Sequence, residues 1–233
     1  MNSTDLSSPD KQTIRRLFDQ IAFKYDFLNS FLSLRLDDYW RAQACKRLLE
    51  GSEQSVIDLG IGTGKFLETF LKARKFKFAA GLDFSTNMLK KARETLPPTV
   101  RYVSGDFHYL PFQKGSFDLV ISSFTLRSVK DMLHFVEEVY EILTPQGKAA
   151  FLCLTRPTNP FWKALYYPYL HFYLPLIGKL ISGNSEAYQF LSKSIQHFQE
   201  PGVTVGLLRR SGFQTIHVTR LTMGIATLIT AKK

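Results

Sequence analysis

Apolar residues recur along the chain in two rhythms. Ile14, Leu17, Phe18, Ile21 and Ala22 are spaced by three and four, which predicts helical structure within residues 10–50. From residue 55 to 154 the rhythm changes. Short apolar runs, Ser55–Leu59, Phe78–Asp83, Val100–Ser104, Phe117–Ser122 and Lys148–Leu154, alternate with amphipathic stretches, Lys65–Ala73, Thr86–Thr95 and Met132–Leu143. Unbroken apolar runs suit strands buried on both faces, and right-handed strand–helix–strand crossovers make such strands parallel. Residues 157–200 are aromatic and broken by proline, and predict a helical insert. Val203–Arg210 then predicts a last helix, followed by strands at Phe213–Thr219 and Gly224–Ala231. The link between these two strands is too short for a crossover, so they are expected to pair antiparallel. The whole predicts one α/β domain over 1–233 with a mostly parallel seven-stranded sheet. Its parts are a helical lid (10–50), a core (51–156), an aromatic cap (157–200) and a closing helix and strand pair (201–233).

Composition narrows the class. With 233 residues, 45% hydrophobic and 21% charged, the chain is not mainly disordered, collagenous or coiled-coil. Its two cysteines, Cys45 and Cys153, form no CxxC pair, so no zinc cluster, no disulfide framework and no metal site are expected. Reduced thiols fit a cytosol. Met1 to Thr13 is polar and lacks the apolar core of a signal peptide. No uncharged apolar run reaches the roughly 18 residues of a membrane span. The nearest, Ala164–Gly178, is interrupted by Pro168, His171 and Pro175. The expected location is cytoplasmic, with room for peripheral contact at the inner face of the membrane. The net charge of +10 suits an anionic lipid surface, an acidic ligand or nucleic acid, or serves solubility alone. The basic residues are scattered and no nucleic-acid motif accompanies them, so nucleic acid is not an expected partner. Nothing in the composition settles oligomeric state, and a homodimer is allowed.

The sharpest local signal is Val56-Ile57-Asp58-Leu59-Gly60-Ile61-Gly62-Thr63-Gly64. A buried strand runs into three glycines at alternate positions, and a helix follows. Glycine permits a tight turn and close approach of backbone to a ligand, and the helix start offers free amides. A dinucleotide fingerprint GxGxxG would need glycine at 65, where the chain has Lys65. A phosphate-binding P-loop would need its lysine one position later and a hydroxyl after it. Both fit poorly. The pattern Asp-x-Gly-x-Gly-x-Gly resembles the first motif of class I S-adenosylmethionine-dependent methyltransferases, whose Rossmann-like fold matches the predicted order of elements. That resemblance implies S-adenosylmethionine as cosubstrate, held by Asp58, Gly60, Gly62, Thr63 and Gly64.

Further acids stand where predicted strands end. Asp83 closes the second and can accept hydrogen bonds from both ribose hydroxyls; alternatively it caps the next helix, a task for which Ser85 competes. Asp106 and Phe107 follow the third strand, where the resembling fold seats adenine; alternatively Asp106 only terminates a strand. The fourth strand, ending near Ser123, resembles the motif that faces the sulfonium in that fold.

The likeness extends over nearly the whole chain. Phe18-Asp19-Gln20-Ile21-Ala22, Tyr25-Asp26-Phe27-Leu28-Asn29, Trp40-Arg41, Leu110-Pro111-Phe112, Leu126-Arg127, Tyr188-Gln189-Phe190-Leu191, Gly212-Phe213 and Gly224-Ile225 are similar to the UbiE/MenG family, the C-methyltransferases of menaquinone and ubiquinone biosynthesis. The chain departs from the family pattern at Arg35, Asp38, Lys65 and Ser128, near the expected substrate entrance. The resemblance implies methyl transfer to a ring carbon of a prenylated hydroquinone, with demethylmenaquinol the expected substrate. The alternative is O- or C-methylation of another small apolar compound.

That chemistry requires a phenolate, a group to stabilise its charge and a base. Arg127 is the candidate for oxyanion charge, or else forms a structural ion pair. Tyr25, Asp26 and Asp37 are candidates for lid or proton acceptor, and His197 is a further base or a packing residue. Residues 161–173 hold seven aromatics, among them Trp162, Tyr166, Tyr169, Phe172 and Tyr173. They suit a polyprenyl tail or a lipid interface, or else cap the cleft or join a dimer.

Overall fold

A computed structural model describes residues 30, 33–107, 109–173, 176, 194–196 and 198–233. The described elements run α1 (Leu36–Leu48), β1 (Ser55–Leu59), α2 (Lys65–Ala73), β2 (Phe78–Asp83), α3 (Thr86–Thr95), β3 (Arg101–Ser104), β4 (Phe117–Ser123), α4 (Met132–Ile142), β5 (Leu143–Leu154), α5 (Pro160–Pro168), α6 (Pro201–Arg210), β6 (Ile216–Leu221) and β7 (Ala226–Lys232). The strands form one sheet in the order β3-β2-β1-β4-β5-β7-β6. Pairing is parallel from β3 across to β5, while β7 runs antiparallel to both β5 and β6.

Strand alternation sorts side chains to two faces. Ile57 and Leu59 of β1 join Phe135, Val139 and Leu208 from α4 and α6 in one core. Val56 joins Trp40, Ala44, Phe66, Phe70 and Leu89 from α1, α2 and α3 in the other. Asp58 has the parity of Val56, so it points to the face covered by α1 and α2. Trp40 fixes α1 there: its Nε1 donates to Thr222 Oγ1 at 2.8 Å, tying the first described helix to the turn between the last two strands.

Of the predicted helical stretch 10–50, the described part is residues 30 and 33–50, which hold α1. Elsewhere boundaries shift for local reasons. The strand expected at Lys148–Leu154 begins at Leu143, because Leu143 pairs with Phe117 before the register shifts and Lys148 takes up Leu119. The two C-terminal strands sit later than expected. Thr222 and Met223 take left-handed φ values of 46° and 55° and so make the turn themselves.

Candidate active site

The C-terminal ends of β1 to β4 open on one cleft, the edge where ligands bind in doubly wound sheets. Gly60 and Gly62 form one wall, Asp83, Phe84 and Met88 a second, and Phe107 a third. Ser123, Phe124, Thr125 and Ser128 close the fourth.

The glycine loop is folded back onto β2. The amides of Gly60 and Ile61 both donate to Leu82 O, at 2.8 and 3.0 Å. Gly60 has φ 77°, and a Cβ there would sit 2.6 Å from Thr125 Oγ1 and 3.2 Å from Phe107, so no side chain fits between these walls. Gly62 has φ 53°, and a Cβ there would meet nothing within 4 Å. Its Cα thus faces open space on a wall of the cleft, which leaves room for a ligand against bare backbone.

Asp83 organises the junction. Its Oδ2 accepts from the Gly62 amide at 2.8 Å and its Oδ1 from the Ser85 amide at 2.9 Å. The helix is capped instead by Ser85, whose Oγ accepts from the Met88 amide at 3.1 Å. Asp83 therefore lines the cleft with its carboxylate held by backbone.

Asp58 lies behind the loop and is 1% exposed. Neither carboxyl oxygen has a hydrogen-bond partner among the described residues. Burial pushes this carboxyl up to about 8; the Leu67 amide, directed at it, and the Arg41 guanidinium pull it down, and the charge of Asp83 adds to the rise. A buried carboxyl beside a ligand cleft with its hydrogen bonding incomplete suits a donor brought by the ligand.

The predicted cofactor residues thus converge. Gly60, Gly62, Asp83, Phe107 and Ser123 line the cleft, and Thr63 and Gly64 belong to the same loop. Asp106 is half-buried beside Phe107 and outside the cleft lining. Phe107 sits edge-on to Phe84 and Phe135 at centroid distances of 6.3 and 6.2 Å, which keeps its ring in the wall. Sequence reasoning missed Phe84, Met88, Phe124 and Thr125. The first two follow Asp83 directly and one helical turn later, a signal that was available. Phe124 was hidden, because only its left-handed φ of 59° swings it out of the strand direction.

Of the expected catalytic residues, Arg127 and Asp37 are described, and neither lines the cleft. Arg127 follows the same turn, and its Nη1 donates to Phe124 O at 2.6 Å, bracing the strained residue. Its charge also acts on the buried thiol of Cys153, which burial pushes up to about 12. Asp37 is buried in α1: its Oδ2 accepts from Arg41 Nη1 at 2.6 Å and its Oδ1 from Ser33 Oγ at 2.7 Å. Burial would raise its pKa, but Arg41, Ser33 and Lys65 outweigh that and hold it below the usual carboxylate range. An acid held ionised in this way is a weak base. Tyr25, Asp26 and His197 lie outside the described residues.

The five aromatics predicted for substrate sit on α5 and the π-turn after it, and none lines the cleft. Tyr166 is spent on a small core with Leu170 and Ile195, and stacks on Tyr169 at 6.2 Å. Trp162 is half-buried against Phe161. Phe172 and Tyr173 stand in solvent with Phe161 and Leu165. Among the described residues no group of three His, Cys, Asp or Glu could hold a metal ion, and no helix is long and apolar enough to cross a membrane.

Topology, glycine loop and strand-end acids together define a class I S-adenosylmethionine-dependent methyltransferase. The solved S-adenosylmethionine-dependent methyltransferase of Mesorhizobium loti shares this fold, with a TM-score of 0.59 at 23% identity, over 82% of this chain and 96% of that one. The model of the ubiE/COQ5 methyltransferase family matches residues 6–233, and the chain belongs to that family. It is 35% identical over 230 residues to the demethylmenaquinone methyltransferase of Protochlamydia amoebophila, covering 95% of each chain. It is also 35% identical over 205 residues to that of Thermotoga maritima, covering 88% of this chain and 89% of the relative. The chain's own residues fit S-adenosylmethionine: the orphaned Asp58 carboxyl suits its ammonium, and Asp83 suits its ribose hydroxyls.

Proposed function

We propose that the protein methylates a ring carbon of a prenylated naphthoquinol, converting demethylmenaquinol to menaquinol. The reading is carried by its near full-length likeness to demethylmenaquinone methyltransferases, joined to a cofactor cleft with its acids and glycines in place. S-adenosylmethionine supplies an electrophilic methyl group when bound. The chain's task is to position the acceptor carbon within ~3–3.5 Å of that methyl and exclude water. An aromatic carbon is a weak nucleophile until the neighbouring hydroxyl loses its proton, and then charge flows onto the ring. Arg127, next to the cleft wall at Ser128, stabilises the oxyanion. The ring proton then passes to a base after the methyl has arrived.

The exposed apolar side chains of α5 and its π-turn, with Lys163 among them, meet the isoprenoid tail at an anionic lipid surface on the cytoplasmic side. The support is chemical: Phe161 is 70% and Phe172 72% exposed, and the chain carries +10. The test is incubation of the purified protein with labelled S-adenosylmethionine and demethylated prenylquinols, followed by mass analysis of the lipid. A ring-methylated quinone is expected. An aryl methyl ether, or label in neither lipid product, would overturn the reading.

A further inference from the structure

Arg41 is the counterpart of Asp58. It is 5% exposed on α1, on the sheet face to which Asp58 points. Its Nη1 donates to Asp37 and lies 3.6 Å from Asp38 Oδ1, so one edge of the guanidinium is neutralised from within the helix. Its guanidinium carbon stands 5.5 Å from the centre of the Phe124 ring, which is a wall of the cleft. Its Nε–H has no partner among the described residues. So a guanidinium and a carboxyl, both more than nine-tenths buried, share one face of the sheet, each with polar atoms left over. Yet neither completes its hydrogen bonding with the other. A buried guanidinium with one N–H to spare and a buried carboxyl that ionises when a cation arrives are what a zwitterionic ligand needs, since each of its ends finds one partner.

We propose that Arg41 and Asp58 together bind the methionyl end of the cosubstrate, with Asp58 accepting from its ammonium and Arg41 Nε donating to its carboxylate. This rests on the methyltransferase reading of the cleft. Asp37 is then a positioning residue. Through Nη1 it fixes the plane of the guanidinium and leaves Nε turned away from the helix's own acids. Ser33 holds Asp37 from its other oxygen, and Trp40, the adjacent residue, anchors the helix to Thr222. Lysine could supply the charge at position 41 but not two directed N–H groups, one for Asp37 and one for the ligand.

The test is equilibrium binding by calorimetry of S-adenosylhomocysteine, its decarboxylated counterpart and 5′-methylthioadenosine, which lacks the methionyl group. The ligands are compared on the wild type, Arg41→Met and Arg41→Lys. The wild type should prefer the carboxylate-bearing ligand by about 10–100-fold, the range for a charge-assisted hydrogen bond. Arg41→Met should abolish that preference, and Arg41→Lys should keep part of it. Should Arg41→Met fail to fold, as judged by circular dichroism, the partial loss in Arg41→Lys decides the matter. Equal weakening of both methionyl ligands in the variants, with the preference intact, would reduce Arg41 to a structural role and overturn the proposal. So would the lack of any preference in the wild type. A wild type that binds 5′-methylthioadenosine but ignores the carboxylate refutes Arg41 alone; one that binds none of the three ligands refutes the methyltransferase reading as well.

Discussion

The Asp83 carboxylate and the Gly62 amide meet at 2.8 Å, across the gap between the end of β2 and the loop that leaves β1. One hydrogen bond thus ties an acid that lines the cleft to the glycine loop that forms its neighbouring wall. Helix capping has been passed to Ser85, so the acid is not drawn away into the helix. The site is built by two adjacent strand ends that hold each other in place.

Asp83→Ala should therefore act twice. Loss of the ribose contacts should weaken S-adenosylmethionine binding by about 10–150-fold. Loss of the two backbone partners should lower unfolding stability by about 1–3 kcal/mol. Calorimetry and denaturant titration separate the two effects. Unchanged affinity alongside lowered stability would leave Asp83 a purely structural residue.

Asp58 makes cofactor binding proton-linked. Its folded pKa of about 8 lies above the ordinary 3.8, so the free protein holds the acid neutral near pH 7. Seating an ammonium favours the ionised form, and the proton must leave. Binding of S-adenosylhomocysteine near pH 7 should release ~1 proton, read from calorimetry in buffers of different ionisation heat. Asp58→Asn should release none. For the free protein the sign is the usual one for a raised carboxyl. The contribution is fully present below about pH 4 and is lost as pH rises towards 8, so Asp58→Asn should be the more stable form at pH 8. The groups acting on Asp58 are Arg41, Asp83 and the Leu67 amide.

Glu53 provides the opposite pH dependence, far from the cleft. Burial alone would raise its pKa, but backbone amides at Glu50 and Gly51 and the Lys148 ammonium bring it down to about 2. Arg74 adds a 2.9 Å ion pair. A depressed carboxyl stabilises the fold above its ordinary value of 4.5, and that stability is lost as pH falls towards 2. Glu53→Gln should cost on the order of 2–3 kcal/mol at pH 7 and progressively less below pH 4. Parallel stability curves for variant and wild type across that range would refute it.

Phe161 and Phe172 test the lipid surface. The protein should sediment with anionic vesicles more than with neutral ones, and added salt should release it. Either Phe→Ala change should weaken vesicle binding by roughly tenfold, the loss of a partly inserted ring. Equal behaviour of wild type and Phe161→Ala/Phe172→Ala would return α5 to a role within the protein.

Arg127→Ala should lower kcat by about 10²–10³-fold on the quinol substrate if its charge stabilises the phenolate. Arg127→Lys should recover only part, because the fork that braces Phe124 O is lost. A loss confined to KM would instead mark Arg127 as the brace of the Phe124 turn.

The local parts of this protein were legible in its sequence. Apolar runs alternating with amphipathic stretches specify β1 to β5 and the helices between them, because burial of a strand or of a helix face is written within the element itself. The glycine loop and the acid at the end of β2 were legible for the same reason: backbone conformation and strand termini are short-range properties. What joins distant segments was not. β7 inserts between β5 and β6, and Trp40 reaches Thr222 across 182 residues, so the seating of α1 depends on a turn near the other end of the chain. The approach of Arg41 to the sheet face of Asp58 follows from that seating. A carboxyl and a guanidinium read from sequence are ordinary surface charges. Only the packing of α1 against α2, β5 and β7 brings Arg41 to the sheet face that Asp58 points to, and so sets up the pair of polar groups on which the proposed methionyl site rests.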